Sequence, residues 1–407
     1  MKIRLSKRGL SYLLFRARNL SVAEIGRRFK HEPVGEAVTV LRKAESLQRD
    51  SSQGAALSLD DDYVFMPSSR RDGVGVQALI RSCVMFLSRR VGAAYLHLPF
   101  TELQHQFNDP VGRSLSRLDW AEKWESFLNL GQGEHAVADV AKQMGHHSLA
   151  REMVDKDRQF GKPGIPLKSH LSDFLNESSG GSVCSRGVNV FDLRFFRDST
   201  AAKLSFDSGF VAQLQAKFAA NGYVPRRWMY SDQYLDIAIH VRRGDVWESH
   251  KAGNLRWEEK IRFVSEGYYV SLLQRLQSLF HTASKPVRFH IFSDGQATDF
   301  PQFTFVSEKE AYLETAFGKR IENIQFHLSE NSLDALYHLV KAPVLVPTKS
   351  SFSFLAVLLG KSKVLYDKAI HEFYQYDLIR DYMARSSRFV LLNDLSTVSP
   401  TALCDAR

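Results

Sequence analysis

Apolar residues along this chain fall into short runs separated by longer stretches of helical spacing, and that alternation predicts the fold. Tyr63-Val-Phe-Met66 follows three aspartates and passes into Pro67 and Ser68, a strand ending in a loop. Leu79, Ile80, Cys83, Val84, Phe86, Leu87 and Val91 then recur at helical spacing, and the run 94–98 reads as the next strand. Trp120, Trp124, Phe127 and Leu128 share a helical face, and 211–220 predicts a further helix. From Leu235 the pattern predicts a strand to Val241, a helix at 268–280, strands at 287–292 and 324–326, a helix at 331–341 and a strand at 344–346. Strands alternating with helices in this way predict parallel sheets covered by helices, the doubly wound α/β arrangement.

Composition changes this picture in three places. A chain of 407 residues with 44% hydrophobic content can bury two cores, so two domains are expected. The boundaries read as a basic extension over 1–58, an α/β domain over 59–231, a second over 232–380 and a tail over 381–407. Within the first domain, 160–187 carries Gly-Lys-Pro-Gly-Ile-Pro and Asn-Glu-Ser-Ser-Gly-Gly-Ser, which cannot build a core and predict a loop or lid. The net charge of +9 suits an acidic partner: a nucleotide, a nucleic acid or an anionic membrane. Yet residues 1–50 hold twelve Lys or Arg against five Asp or Glu, which places most of the excess in the extension. The folded body is nearly neutral, and nucleic acid is not an expected partner.

The extension pairs Lys2, Arg4, Lys7 and Arg8 with Leu10, Leu13, Leu14 and Phe15, a pattern open to peripheral contact with anionic lipid or to an ordinary helix or basic arm. No stretch approaches the ~20 apolar residues that span a bilayer, and no signal-peptide cleavage site follows the short apolar run. Cys83, Cys184 and Cys404 are far apart, odd in number and without metal-like spacing, which implies a reducing compartment. The expected setting is cytoplasmic, with the extension near the inner membrane face, and no metal or cofactor is expected.

The chemistry concentrates at strand ends. Ile237-Ala-Ile-His-Val-Arg-Arg-Gly-Asp245 is a buried strand that stops at two arginines, and in open α/β sheets function collects at strand carboxyl ends. A guanidinium fork suits phosphate oxygens, and Gly244 lets the backbone turn beside Arg242 and Arg243; the alternative is a surface turn with both arginines paired to carboxylates. Asp72-Gly-Val-Gly-Val-Gln77 places Gly73, Gly75 and Gln77 at a strand-to-helix turn, either a phosphate cradle or merely a tight turn. Ser350, Ser351 and Ser353 precede Phe354-Leu-Ala-Val-Leu-Leu359, so capping hydroxyls and free amides would sit at a helix N-terminus.

His-Val-Arg-Arg-Gly-Asp at 240–245 resembles the first motif of the GDP-fucose-dependent fucosyltransferases, Phe289-His-Ile-Phe-Ser-Asp-Gly295 the second and Pro347-Thr-Lys-Ser-Ser-Phe-Ser353 the third. The three fall in the family's order, over 234–367, with a weaker likeness over 63–100 that includes the Gly-x-Gly-x-Gln pattern. The resemblance implies the glycosyltransferase B architecture, two Rossmann-like domains facing a cleft. It implies an inverting, metal-independent enzyme that moves L-fucose from GDP-fucose to a hydroxyl of a glycan or lipid-linked oligosaccharide.

By that resemblance Arg242 and the serines, with Phe352, hold the diphosphate, His240 and Ser293 lie at the nucleotide, Asp294 either accepts from the N1–H and amine of guanine or is a turn or cap aspartate, and Arg243 is either structural or at the donor. Asp334 matches an acidic position before the third motif, architectural or near guanine. Asp245, Glu248 and His250, in an expected loop after the first motif, are the groups available as a base. Two other readings stay open: a transferase of this architecture using another nucleotide sugar, and a non-catalytic polyanion-binding protein.

Overall fold

The computed structural model describes residues 63–137, 187–191, 205–253, 262–314, 320–367 and 378–392, with short gaps, and a few isolated positions besides. The basic extension apart from Arg42, the 160–187 segment up to its last residue, with Cys184, and everything beyond 392, with Cys404, lie outside the described residues.

Four parallel strands form the first sheet: β1 (Tyr63–Pro67), β2 (Ala94–His97), β3 (His135–Ala136) and β4 (Gly187–Phe191), in the order β3-β2-β1-β4. Helix α1 (Val74–Val91) joins β1 to β2, and α2 (Arg117–Leu128) joins β2 to β3. The α1 helix starts at Gly73 without a side-chain cap and ends at Gly92, whose φ of 71° is a left-handed value that glycine adopts without a Cβ clash. The hydroxyl of Ser116 accepts the Asp119 N–H and so caps α2, and α3 (Ser208–Ala219) begins with Asp207 accepting the Phe210 N–H.

The second sheet has eight strands. Its parallel members are β5 (Leu235–Val241), β6 (Val287–Ser293), β9 (Arg320–Leu328), β10 (Val344–Val346), β11 (Lys363–Tyr366) and β12 (Phe389–Leu391), in the order β12-β11-β10-β5-β6-β9. A short antiparallel extension, β8 (Glu310–Glu314) and β7 (Thr304–Phe305), is added beyond β9. Between strands run α4 (Gly244–Lys251), α5 (Glu266–Leu279), α6 (Ser332–Lys341), α7 (Ser351–Leu359) and α8 (Arg380–Arg385). Counting only the parallel strands in chain order, this is 6-5-4-1-2-3, and its topological switch point falls between β5 and β10. The first motif leaves the carboxyl end of β5 and the third leaves that of β10, so one crevice receives both.

The mixed α/β expectation with parallel sheets holds, and two details differ from the pattern reading. The segment after the first motif is not a loop but the helix α4, begun where Gly244 takes φ +41° and where Asp245 supplies an acidic group to the first turn. Strand β9 runs past 324–326 because its outer half pairs with β8 while only 324–328 pairs with β6.

Helix α7 explains how the sheets are joined. Seven of its nine residues are buried, and it is apolar all round, as a helix enclosed on every side must be. It packs on α1, α3 and α6, and one continuous apolar cluster carries Phe65, Leu79 and Trp124 together with Ala238, Phe292 and Leu336. The closest point is Gly75, where an added Cβ would stand 2.6 Å from the Ser351 carbonyl carbon and 2.7 Å from the Phe352 nitrogen. Among the described residues no helix is long and apolar enough to cross a membrane.

Because those neighbours are backbone atoms, Gly75→Ala must push α1 off α7. We expect a loss of about 1–3 kcal/mol, read as a lower midpoint in urea denaturation with an unchanged slope; an unchanged midpoint would show that the helices do not touch there.

Candidate active site

A cleft of about 300 Å³ opens where the two sheets meet. One wall carries Gly73, Gly75, His105 and Trp124; the other carries His240, Arg242, Asp294 and the first turn of α7. The N-termini of α1 and α7 therefore reach the same cavity, each bringing the positive end of a helix dipole, with no acidic residue in either first turn. Arg242, Arg262 and Lys349 add side-chain cations to the lining.

The paired arginines have opposite fates. Arg242 turns to the cleft, where its Nη1 lies 2.8 Å from Asp294 Oδ2 and its Nη2 2.5 Å from Asp245 Oδ1. Burial alone would lower its pKa, but these two carboxylates raise it above the ordinary arginine value. Arg243 is fully buried and faces away from the cleft. Its Nη1 donates to the Val264 carbonyl at 3.2 Å, and its guanidinium lies over the rings of Trp247 and Phe300 at 4.9 and 5.1 Å. Burial lowers its pKa. Of the two roles open to Arg243, the packing is that of a structural residue.

Asp294 ties this cluster together. Its Oδ1 accepts the Arg243 backbone N–H at 2.8 Å while Oδ2 meets Arg242, and Gly244 passes so near that a Cβ there would overlap the carboxylate. In this state both oxygens serve the first motif. Ser293 also lines the cleft, its Oγ accepting the Gly295 N–H.

Two other predicted residues act on the backbone behind the wall. Gln77 donates to the carbonyls of Asp72 and Glu102 at 3.0 and 2.7 Å, pinning the loops on either side of Gly73 and His105. Ser353 is fully buried, donating its hydroxyl to the Thr348 carbonyl and accepting the Thr348 N–H, which folds the third motif back on itself. Neither lines the cleft. Ser350, Ser351 and Phe352 do, and Ser350 Oγ caps α7 by accepting the Phe352 N–H at 3.2 Å.

His240 forms part of the wall with its ring 5.6 Å from that of Phe352 and its Nδ1 without a partner among the described residues. Burial pushes its pKa down to about 4, so it is neutral at pH 7. Of the groups considered as a base, Asp245 holds Arg242, Glu248 is exposed and paired with Lys251 at 2.7 Å, and His250 stacks on Phe263 at 4.1 Å. None of the three lines the cleft. Asp334 accepts the Tyr223 hydroxyl at 2.7 Å and lies outside the lining, which is architecture.

The pattern reading missed His105, Asp109, Arg262, His327 and Lys349. His105 stands at φ +65°, a left-handed value that costs a non-glycine residue of order 1–2 kcal/mol, and it faces Arg242. Partial burial, then Arg242, lowers its pKa. Asp109 accepts both the N–H and the hydroxyl of Ser332, at 2.7 and 2.6 Å, so the first half of the chain caps α6 in the second. Lys349 sits inside the third motif and His327 at a strand carboxyl end, where the rule applied to β5 would have found it.

The sequence matches no protein family, and no curated protein matches it. Solved structures are similar at low identity. Fucosyltransferase NodZ from Bradyrhizobium shares 12% identity over 74% of this chain and 93% of that one, with a TM-score of 0.34. POFUT1 in complex with GDP-fucose shares 10% over 77% and 99%, at 0.32. Arabidopsis thaliana FUT1, a mutant in complex with GDP, shares 13% over 88% and 79%, at 0.32. Likenesses this distant carry no function by themselves, and the reading below rests on the cleft and the motifs.

Two outcomes follow from the burial of these groups. Arg243→Ala removes a large side chain from an aromatic cage and should cost about 3 kcal/mol or more, seen as a marked fall in melting temperature; a melting temperature equal to that of the native protein would refute the structural role. Acid should also destabilise the fold. His240, His290, His327 and His338 all have pKa values lowered chiefly by burial. Below about 6.5 the unfolded chain binds protons that the folded chain does not, so stability falls with pH by up to about 1.4 kcal/mol per unit for each histidine. Calorimetric melting between pH 7 and 5 should show a steady drop; a flat or rising profile would mean that these histidines are protonated in the fold.

Proposed function

We propose that the protein is an inverting glycosyltransferase that moves L-fucose from GDP-fucose to a hydroxyl of a glycan or lipid-linked acceptor, without a metal, between two Rossmann-like halves of the glycosyltransferase B kind. The observation that carries this reading is Arg242 at the switch point of the second sheet, facing the N-termini of α1 and α7 across one cleft. Such a set of fixed positive groups neutralises the charge that grows on a diphosphate as it leaves. The three ordered motifs support fucose and GDP.

In the reaction the acceptor oxygen forms a bond to the anomeric carbon while the bond from that carbon to the β-phosphate oxygen breaks. The electron pair leaves with the diphosphate, and the acceptor proton passes to a base. His105, which lines the cleft near Arg242, and Asp245, which pairs with its guanidinium, are two side chains placed to take it. Arg242 reaches a phosphate by giving up one of its two carboxylate partners, Asp245 or the cleft-lining Asp294, each a partly exposed pair worth about 1 kcal/mol.

Calorimetric titration with GDP, GDP-fucose, GDP-mannose and UDP, with and without magnesium, tests this directly. Metal-independent binding of GDP and GDP-fucose over UDP is expected, and Arg242→Ala should weaken it about 100-fold and abolish transfer in a protein that still melts cooperatively. Preference for UDP or ADP would move the enzyme to another nucleotide sugar; indifference to all would sink the reading, as would turnover by folded Arg242→Ala.

A further inference from the structure

Behind the cleft, three neighbouring strands carry a line of polar side chains that the phosphate clamp does not use. Asp236 on β5 and His290 on β6 are fully buried, and His327 at the end of β9 lines the cleft with only 4% of its surface exposed. Asp236 Oδ1 lies 3.0 Å from His290 Nε2, and His290 Nδ1 lies 2.9 Å from His327 Nε2, with the two imidazoles within 9° of one plane. The ring of Phe292 stacks on His327 at 4.5 Å. At the far end, Asp236 also accepts from Arg288 Nε and from the Ser231 N–H, each at 2.7 Å.

These contacts fix where the protons are. Burial pushes the Asp236 carboxyl up, but hydrogen bonds from His290 and Arg288 hold it below the usual carboxylate range, so it is an acceptor. His290 must then donate through Nε2–H. Burial lowers the pKa of both histidines, and His290, Lys309, His338 and Arg227 lower that of His327 further, to about 2. Both rings are neutral. With its Nε2 proton given to Asp236, His290 has a bare Nδ1, which accepts Nε2–H of His327. His327 is left with a bare Nδ1, which has no partner among the described residues.

A buried acceptor without a donor is costly, and a ligand in the cleft can supply one. A group with a pKa near 2 is a poor proton acceptor in catalysis, so this nitrogen serves recognition. It also stands at a telling distance: β9 is two strands from β5, about 10 Å at ~4.8 Å per strand, so a nucleoside diphosphate anchored at Arg242 can extend its base toward His327.

We propose that Asp236 and His290 lock His327 into its Nε2–H tautomer, so that the bare Nδ1 accepts a hydrogen bond from a ring N–H of the bound nucleobase and selects bases that carry one over adenine. This rests on the nucleotide reading above, and Asp236 and His290 are positioning residues.

The test is titration of the full chain with GDP, IDP, ADP and inorganic pyrophosphate. The native protein should prefer GDP and IDP, whose bases share a ring N–H, over ADP. His327→Phe keeps the stack on Phe292, and it should lower GDP and IDP affinity about 10- to 100-fold while pyrophosphate affinity stays unchanged. Native GDP-over-ADP selectivity in a folded His327→Phe protein overturns the inference and leaves the proposed function standing; failure of the native protein to bind any of the nucleotides removes both. Nitrogen-15 NMR supplies a second readout. The His327 ring should stay neutral with Nε2–H from pH 5 to 8, and His290→Phe should shift that signature; an imidazolium, or a proton on Nδ1 in the native protein, overturns the lock.

Discussion

The contact of two backbones at Gly75 is the constraint from which the site follows. Only a residue without a Cβ allows the first turn of α1 to lie against Ser351 and Phe352 of α7. That approach merges the cores of the two sheets and points two helix N-termini into one cavity. Two helix N-termini with their positive dipole ends thus face the cleft through packing, before any charged side chain is counted. Asp109 reinforces it at a second place by capping α6 across the same junction.

Charged side chains then refine what the backbone provides. Arg242 and Arg243 are adjacent in sequence and chemically identical, yet one is held by two carboxylates at the cleft and the other sits among aromatic rings. Asp294 makes the distinction possible, because one carboxylate fixes the backbone of the second arginine and the side chain of the first. On the proposed function, a guanidinium restrained in this way loses little freedom when a diphosphate arrives, which is what preorganisation requires.

Much of the second sheet was legible because its strands are buried on both faces and read as unbroken apolar runs; all seven residues of β5 are buried. The motif positions were legible as strand ends and as a capped helix start. What could not be read was decided by residues distant in the chain. The fate of Arg243 depends on Val264 and Phe300, that of Gln77 on the Glu102 carbonyl, and that of Ser353 on a loop folding back to Thr348. The β7–β8 hairpin escaped because its two strands are short and half polar, with Glu at both ends of β8. His105 escaped because a backbone angle, not a side-chain pattern, marks it.

The shared apolar cluster also bears on how the cleft admits its contents. Swinging one sheet away from the other would expose the faces that α1, α3 and α6 bury on α7, at about 25 cal/mol for each Å² of apolar surface. The two halves are soldered rather than hinged. On the proposed function, entry is therefore a matter of side chains and loops at the rim, while the walls of the site stay put.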